Sequence, residues 1–233
     1  MNIVISGVSR GIGKAIAIKF LKENHTVIGC GKSLEHLEEL SNELKKYELN
    51  DKFFYKKCDV SNKEELQEFV DFVFQQVKKV DVLVNNAGVF LGGEMANEED
   101  IFLETMLQTN LLSAYWLTKS ILPNMLQHQS GQIFNMCSVA GTKGYPSGGS
   151  YAITKHALLG FSRSLREELK DKHIKVTAIH PGATLTDSWN GTDLPEQRFI
   201  PVDDIADLVF SISKLSKYSV VEELVIRPQL GDI

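Results

Sequence analysis

The chain has little sulfur to work with. Its three cysteines, Cys30, Cys58 and Cys137, lie in or beside apolar runs and share no metal-like spacing. That pattern speaks against a metal centre, and an odd number of buried thiols suits a reducing compartment, so a cytoplasmic protein is expected. No stretch of about 18 apolar residues appears, so no membrane span is expected. The first residues, MNIVISG, lead straight into an apolar run, without the basic segment and long apolar core of a leader. No basic block accompanies the net charge of −5, which argues against nucleic-acid and anionic-membrane partners. Internal repeats and low-complexity segments are also missing.

What is present reads as an alternation of short apolar strands and amphipathic helices. At 233 residues, 43% hydrophobic and 24% charged, the chain is expected to form a single domain, residues 1–233. Strands are predicted at 2–6, 26–31, 53–60, 80–84, 133–137, 174–179 and 220–227. Helices are predicted at 14–23, 33–47, 61–79, 98–108, 111–127, 151–171 and 202–215. This order implies a seven-stranded, parallel, doubly wound α/β sheet of the Rossmann type, with helices on both faces. Ser61, with Glu64 three residues later, reads as a capping box opening the third helix. Residues 183–201 read as a short lid over a substrate.

The first strand runs into Gly7-Val-Ser9-Arg10-Gly11-Ile12-Gly13 and then a helix. Glycines permit a tight turn, and the free N–H groups and positive dipole end of the helix suit a pyrophosphate. The second strand ends Cys30-Gly31-Lys32, without the acid that would bond a ribose hydroxyl in an NAD site. Arg10 and Lys32 are instead available to a 2′-phosphate, which favours NADPH (or NADP) over NAD. Asp59 is placed either to accept from the adenine amino group or to cap the following helix. Asn85-Asn86-Ala87-Gly88 follows the fourth strand, where small residues let a cofactor approach the backbone; Asn85 either faces it or braces the sheet. Asn110, between two predicted helices, needs a partner if buried, and it can present a carbonyl that holds a water near Lys155.

The chain is organised around Ser138 to Lys155. On a helix, Tyr151 and Lys155 share one face, one turn apart. A Lys ammonium held close favours the phenolate, so it is expected to lower the Tyr151 pKa and make this side chain a general acid or base. Ser138 stands at the carboxyl end of the fifth strand, where open α/β sheets place ligand contacts. After the sixth strand, Pro181-Gly182 sets a turn, and Thr184 and Thr186 are placed to meet a nicotinamide carboxamide. His180 has no nucleophile to pair with and reads as structural. Val139, Tyr145, Ala183 and Trp189 are the expected substrate contacts, beside Ser138 and Tyr151.

Taken together, SGVSRGIG (6–13), Asp59-Val60, NNAG (85–88), Asn110, Ser138, Tyr151-x-x-x-Lys155 and PGxxxT (181–186) resemble the short-chain dehydrogenase/reductase family over essentially the whole chain. The resemblance implies that Tyr151 donates the proton to a substrate carbonyl. It implies that Lys155 lowers the Tyr151 pKa and binds the nicotinamide ribose, that Ser138 polarises the carbonyl, and that Asn110 holds a relay water. It also implies a cofactor site of Gly7, Ser9, Arg10, Gly11, Ile12, Gly31, Lys32, Asp59, Val60, Asn86, Ala87, Gly88, Tyr151, Lys155, Pro181, Gly182, Thr184 and Thr186. Homodimers or homotetramers are implied, built through the helices around 111–127 and 152–168.

Two departures stand out. Ser6 replaces the family's usual Thr, and the lid is short. The glycine loop is similar to bacterial 3-oxoacyl-acyl-carrier-protein reductases, and the tail resembles sepiapterin-reductase-type carbonyl reductases. The expected activity is NADPH-dependent reduction of a small-molecule ketone or aldehyde by direct hydride transfer. Two alternatives are fatty-acid reduction with a carrier-docking patch of Lys143, Arg163 and Arg166, and a non-catalytic NADP(H)-sensing protein.

Overall fold

The computed structural model describes residues 1–144 and 146–233. One seven-stranded sheet, all parallel, runs through it in the order β3-β2-β1-β4-β5-β6-β7. The strands are β1 (Asn2–Ser6), β2 (Thr26–Gly31), β3 (Phe53–Lys57), β4 (Val82–Asn85), β5 (Gly131–Met136), β6 (Ile174–Pro181) and β7 (Glu223–Ile226). Central strands β1 and β4 carry apolar runs, residues 3–5 and 82–84, because both of their faces are covered. Helices α1 (Gly11–Lys22), α2 (Leu34–Lys45) and α7 (Val202–Ser213) pack one face through Ile16, Phe20, Leu37, Leu40 and Val209. Helices α3 (Lys63–Gln76), α5 (Ser113–Gln127) and α6 (Gly149–Leu169) cover the other through Phe69, Val73, Ile121, Leu165 and Leu169. The predicted doubly wound Rossmann-type α/β sheet is therefore the fold observed. Its winding reverses between β1 and β4, and the carboxyl ends of those strands are where such sheets bind ligands.

Several boundaries differ from the sequence reading, each for a local reason. The third strand stops at Lys57, after which Cys58 still donates its N–H to the Gly31 carbonyl at 2.9 Å. The last strand is shorter than predicted, residues 223–226, because only those residues pair with β6. The cap of α3 is Asn62 rather than Ser61: its side chain accepts from the N–H groups of Glu64 and Glu65 at 2.9 and 3.1 Å. Ser61 is engaged elsewhere, its hydroxyl donating to Asp59 at 2.6 Å. Nor are there two separate helices around Asn110. Helix α4 (Asp100–Met106) continues through a π-helical segment, Leu107–Leu112, directly into α5. Such wide turns are uncommon and concentrate at functional sites.

Among the described residues, no helix is long and apolar enough to cross a membrane. No group of three or more His, Cys, Asp or Glu side chains is placed among them to hold a metal ion.

Candidate active site

A cleft of about 760 Å³ opens at the carboxyl ends of the strands. Its floor begins with the β1–α1 loop. Here Gly13 has no room for a side chain, since a Cβ would lie 2.1 Å from the Gly7 carbonyl oxygen. Helix α1 carries no side-chain cap and no acid in its first turn, so its amino end faces the cleft with its N–H groups and positive dipole end free for an anion. The loop is locked to β4 by Ser6, whose hydroxyl accepts from the N–H groups of Asn86 and Ala87, both at 3.1 Å. Asn86 returns two bonds, to the carbonyls of Ser6 and Gly7 at 3.1 and 2.9 Å. The exchange of Thr for Ser at position 6 thus keeps the hydroxyl that the junction uses. Asn85 braces the sheet: its amide donates to Thr118 at 2.9 Å and to Asn135 at 2.8 Å, away from the cleft lining.

Nearly all of the predicted site residues meet around this cleft. Gly7, Ser9, Arg10, Gly11, Ile12, Gly31, Lys32, Asp59 and Val60 line one end. Asn86, Ala87, Gly88, Ser138, Tyr151 and Lys155 line it as well, and so do Pro181, Gly182, Thr184 and Thr186. Of the expected substrate contacts, Val139, Ala183 and Trp189 are in the lining; Tyr145 lies outside the described residues. Trp189 sits in the lid, edge-on to Phe199 at 5.1 Å between ring centroids.

The glycine-loop end of the cleft carries cations, but neither stands alone. Lys32 is 81% exposed and pairs with Asp59 at 2.7 Å, while Arg10 pairs with Asp187 at 3.0 Å. Asp59 raises the Lys32 pKa above its ordinary value. Burial pushes the Asp59 carboxyl up, but Lys32 and Ser61 outweigh it and hold the group below the usual carboxylate range. The capping alternative for Asp59 is not realised, because Asn62 takes that role.

At the other side of Gly88 lies the chemistry. Lys155 is buried, and its Nζ donates to the Met136 carbonyl at 2.8 Å. Asn110 is equally buried. Its Oδ1 accepts from Val89 N–H at 2.7 Å, and its amide donates to the Val89 carbonyl at 2.9 Å and to Thr154 at 3.1 Å. Gly88 separates the two: a Cβ there would come within 3.3 Å of Asn110 Oδ1 and 3.5 Å of Lys155 Nζ. The π-helical turn brings Asn110 to this position, and the residue holds the NNAG segment against α6. Asn110 stands behind the cleft wall rather than in it.

One expectation is reversed. Lys155 was expected to lower the Tyr151 pKa, yet burial pushes the phenol up to about 12, with the neighbouring Ser138 hydroxyl pulling only partly the other way. The Lys155 Nζ is 5.6 Å from the centre of the Tyr151 ring and is committed to Met136. Burial lowers Lys155 itself to about 8. Ser138 accepts from the Ala140 N–H at 3.1 Å, which fixes its side chain. Behind it, the His180 Nδ1 is 3.1 Å from the Ser138 carbonyl oxygen, so His180 braces the strand end as the structural reading expects.

Sequence reasoning missed Phe90, which meets Tyr151 edge-on at 5.2 Å between centroids and narrows the cleft above it. Its position just after NNAG is the one signal that pointed there. It also missed Asp232 and Ile233 in the lining. The proposed carrier-docking cations do not form a free patch: Arg163 pairs with Glu223 at 2.7 Å, Arg166 with Glu222 at 2.9 Å, and Lys143 with Asp232 at 2.8 Å.

A strand–glycine-loop–helix amino end, a winding reversal and a half-buried Tyr151 one turn from the buried Lys155, beside a strand-end serine, define a dinucleotide-dependent oxidoreductase site. Residues 1–197 match the model of the short chain dehydrogenase family, and the chain belongs to that family. It is similar to the NADP-dependent 3-hydroxy acid dehydrogenase YdfG of Escherichia coli K12, at 33% identity over 90% of this chain and 81% of that one. Among solved structures it resembles an alcohol dehydrogenase of the archaeon Thermococcus sibiricus complexed with 5-hydroxy-NADP, with a TM-score of 0.90 and 29% identity, covering 100% of this chain and 98% of the other. It also resembles the closed form of a serine dehydrogenase complexed with NADP+, with a TM-score of 0.89 and 28% identity, covering 100% of this chain and 97% of the other.

Proposed function

We propose that this protein is an NADP(H)-dependent oxidoreductase that interconverts a small-molecule alcohol and its carbonyl compound. The observation that carries this reading is the assembly of Ser138, Tyr151 and Lys155 around one cleft, continuous with a phosphate-accepting helix end flanked by Arg10 and Lys32. The cofactor is NADP(H), as in the NADP-dependent relative and the NADP-bound neighbours. The residues suit it: the second strand ends without an acid at the ribose position, and the two cations there favour a 2′-phosphate. When bound, the dinucleotide supplies or accepts the hydride.

Each residue's part follows from its surroundings. Tyr151 stays protonated at neutral pH, because burial disfavours its phenolate. It is therefore poised to donate its proton to a carbonyl oxygen in the reducing direction. Ser138, fixed by Ala140 N–H, offers its hydroxyl to the same oxygen. Lys155 holds the charge that stabilises a phenolate formed as the proton leaves, and it is free to do so once its bond to Met136 is exchanged for ligand contacts. Asn110 holds Val89 and Thr154 in place and so keeps Gly88 against Lys155.

The substrate reading shifts with the comparisons. The tail's resemblance to sepiapterin-type reductases suggests pteridine-like or diketone carbonyls, whereas the curated relative is named for 3-hydroxy acids. Small hydroxy acids and their oxo acids are the better match. The half-exposed Tyr115 and Ile153, on the outer faces of α5 and α6, support assembly of two or four copies through these helices. Tyr151→Phe is the test of mechanism: turnover is expected to fall by about 10²–10⁴-fold, the usual contribution of a positioned acid, with NADPH affinity retained. Wild-type turnover in that variant would remove Tyr151 from the mechanism.

A further inference from the structure

Tyr151 is the third residue of α6, so it stands in the helix's first turn. First turns fray, because their N–H groups have no acceptor inside the helix. The start of α6 is poorly equipped against this. Among the described residues its N-cap, Gly148, offers no side chain, and no acid stands in the first turn. Yet proton transfer needs the phenol in one place, since an error of about 1 Å at a reacting group costs about 10²-fold.

The hold comes from outside the helix, from the loop between β4 and α4. Glu98 Oε1 accepts from the hydroxyl of Ser150, the buried residue directly before Tyr151. Gly93 N–H donates to the Ser147 carbonyl at 3.1 Å, and Gly93 pairs with Gly148 in a parallel bridge. A Cβ at Gly93 would lie 2.8 Å from that of Glu98, so glycine is what lets the loop close on itself here. The Glu98 N–H is in turn held by the Glu94 carbonyl at 2.9 Å. At the loop's other end, Val89 is clamped by Asn110, and Phe90 meets the Tyr151 ring. One loop therefore grips Tyr151 twice, on its ring through Phe90 and at the preceding residue through Glu98.

A carboxylate suits that second grip. Its bond to a hydroxyl is charge-assisted and stronger than a neutral one. It also sets negative charge beside the positive end of the α6 dipole, where the first turn has no acid of its own. Neither Glu98 nor Ser150 is in the cleft lining, so an effect of either on turnover has to pass through its neighbours. Resting on the oxidoreductase reading, we propose that Glu98 is a positioning residue for the reaction. Acting through Ser150, it fixes the first turn of α6 and so the place of the Tyr151 hydroxyl.

The test is a double-mutant cycle on Glu98 and Ser150. It is read in NADPH oxidation with diacetyl, a small neutral diketone, and in NADPH binding by fluorescence titration. Glu98→Ala is expected to lower kcat about tenfold, the effect of a shift of less than about 1 Å, with KM and NADPH affinity nearly unchanged. Ser150→Ala should do the same. The double variant should also fall about tenfold rather than about a hundredfold, because both changes break one link. Glu98→Gln, whose amide oxygen still accepts from Ser150, should recover most of the lost kcat. Wild-type kcat in Glu98→Ala would overturn the proposal, as would losses that multiply in the double variant. A fall in NADPH affinity as large as that in kcat would overturn it too, since that pattern marks a general loosening of the fold. The oxidoreductase reading fails separately, if the wild-type protein binds NADPH but oxidises it with neither diacetyl nor acetoacetate.

Discussion

Lys155 places the demands of catalysis and of folding in conflict, and the conflict can be measured. The ammonium is buried and, among the described residues, has one hydrogen-bond acceptor, the Met136 carbonyl. Burial lowers its pKa from 10.5 to about 8. At pH 7 the group is protonated in both the folded and unfolded chain, so folding carries the full cost of that shift, about 3 kcal/mol at 1.36 kcal/mol per unit. Between the folded pKa of about 8 and the unfolded value of 10.5, the unfolded chain holds more protons, so raising pH through this window stabilises the fold. Lys155→Met keeps the shape and removes the charge. In urea unfolding at pH 7 the variant is expected to be more stable than wild type, by up to about 3 kcal/mol less the cost of freeing the Met136 carbonyl, about 1 kcal/mol. By pH 9.5 that advantage should shrink by about 2 kcal/mol. Turnover should be lost at both pH values. A variant less stable than wild type at pH 7, or a difference between the two that does not move with pH, would refute the argument that this charge is held at a cost.

Other residues yield shorter tests. Lys32→Asp sets a carboxylate beside Asp59 and is expected to cut the NADPH-over-NADH preference in kcat/KM by about tenfold or more, the effect of ~1.4 kcal/mol at that phosphate; an unchanged ratio would discharge Lys32 from cofactor choice. Asn62→Ala removes the α3 cap and should cost about 1 kcal/mol in chemical denaturation, with a smaller loss for Ser61→Ala, which contradicts the capping box read from the sequence. His180→Leu removes one of two donors to the Ser138 carbonyl, the other being the Gly141 N–H at 2.9 Å, and a stability loss of about 1 kcal/mol is expected. There kcat should fall while NADPH affinity holds, with partial recovery in His180→Gln; loss of cofactor binding instead would show that His180 merely supports the fold.

The fold was legible because its signals are local. Short apolar runs at regular spacing mark buried parallel strands, and glycines mark the β1–α1 turn, where a Cβ at Gly13 would strike the Gly7 carbonyl. The cleft residues were legible for a related reason: the carboxyl ends of parallel strands are brought together by the topology, so naming the strand ends nearly names the lining. The π-helical turn was not legible. Its residues, Leu107 to Leu112, carry no local mark of a widened turn, and the bonds Asn110 makes there reach Val89 and Thr154, partners 21 and 44 residues away. The Ser61 cap failed on competition, since Asp59 engages that hydroxyl and Asn62 is one residue closer to the helix.

Charge was the least legible layer, and the reason bears on how the cleft works. From the sequence, Arg10, Lys32 and Lys143 are cations waiting for a ligand. In the fold each has found an acid: Asp187, Asp59 and Asp232, at separations of 177, 27 and 89 residues. No local pattern announces such pairings. Their consequence is that an anionic group entering either end of the cleft meets a cation already held by a carboxylate, so it binds by exchange rather than by simple attraction. Exchange costs little at partly exposed pairs, and the pairing weakens the field that would otherwise attract every passing anion. Selectivity then depends on what the incoming group offers beyond charge. At the glycine-loop end, on the proposed cofactor placement, that is the remaining dinucleotide's fit to the loop and the α1 amino end.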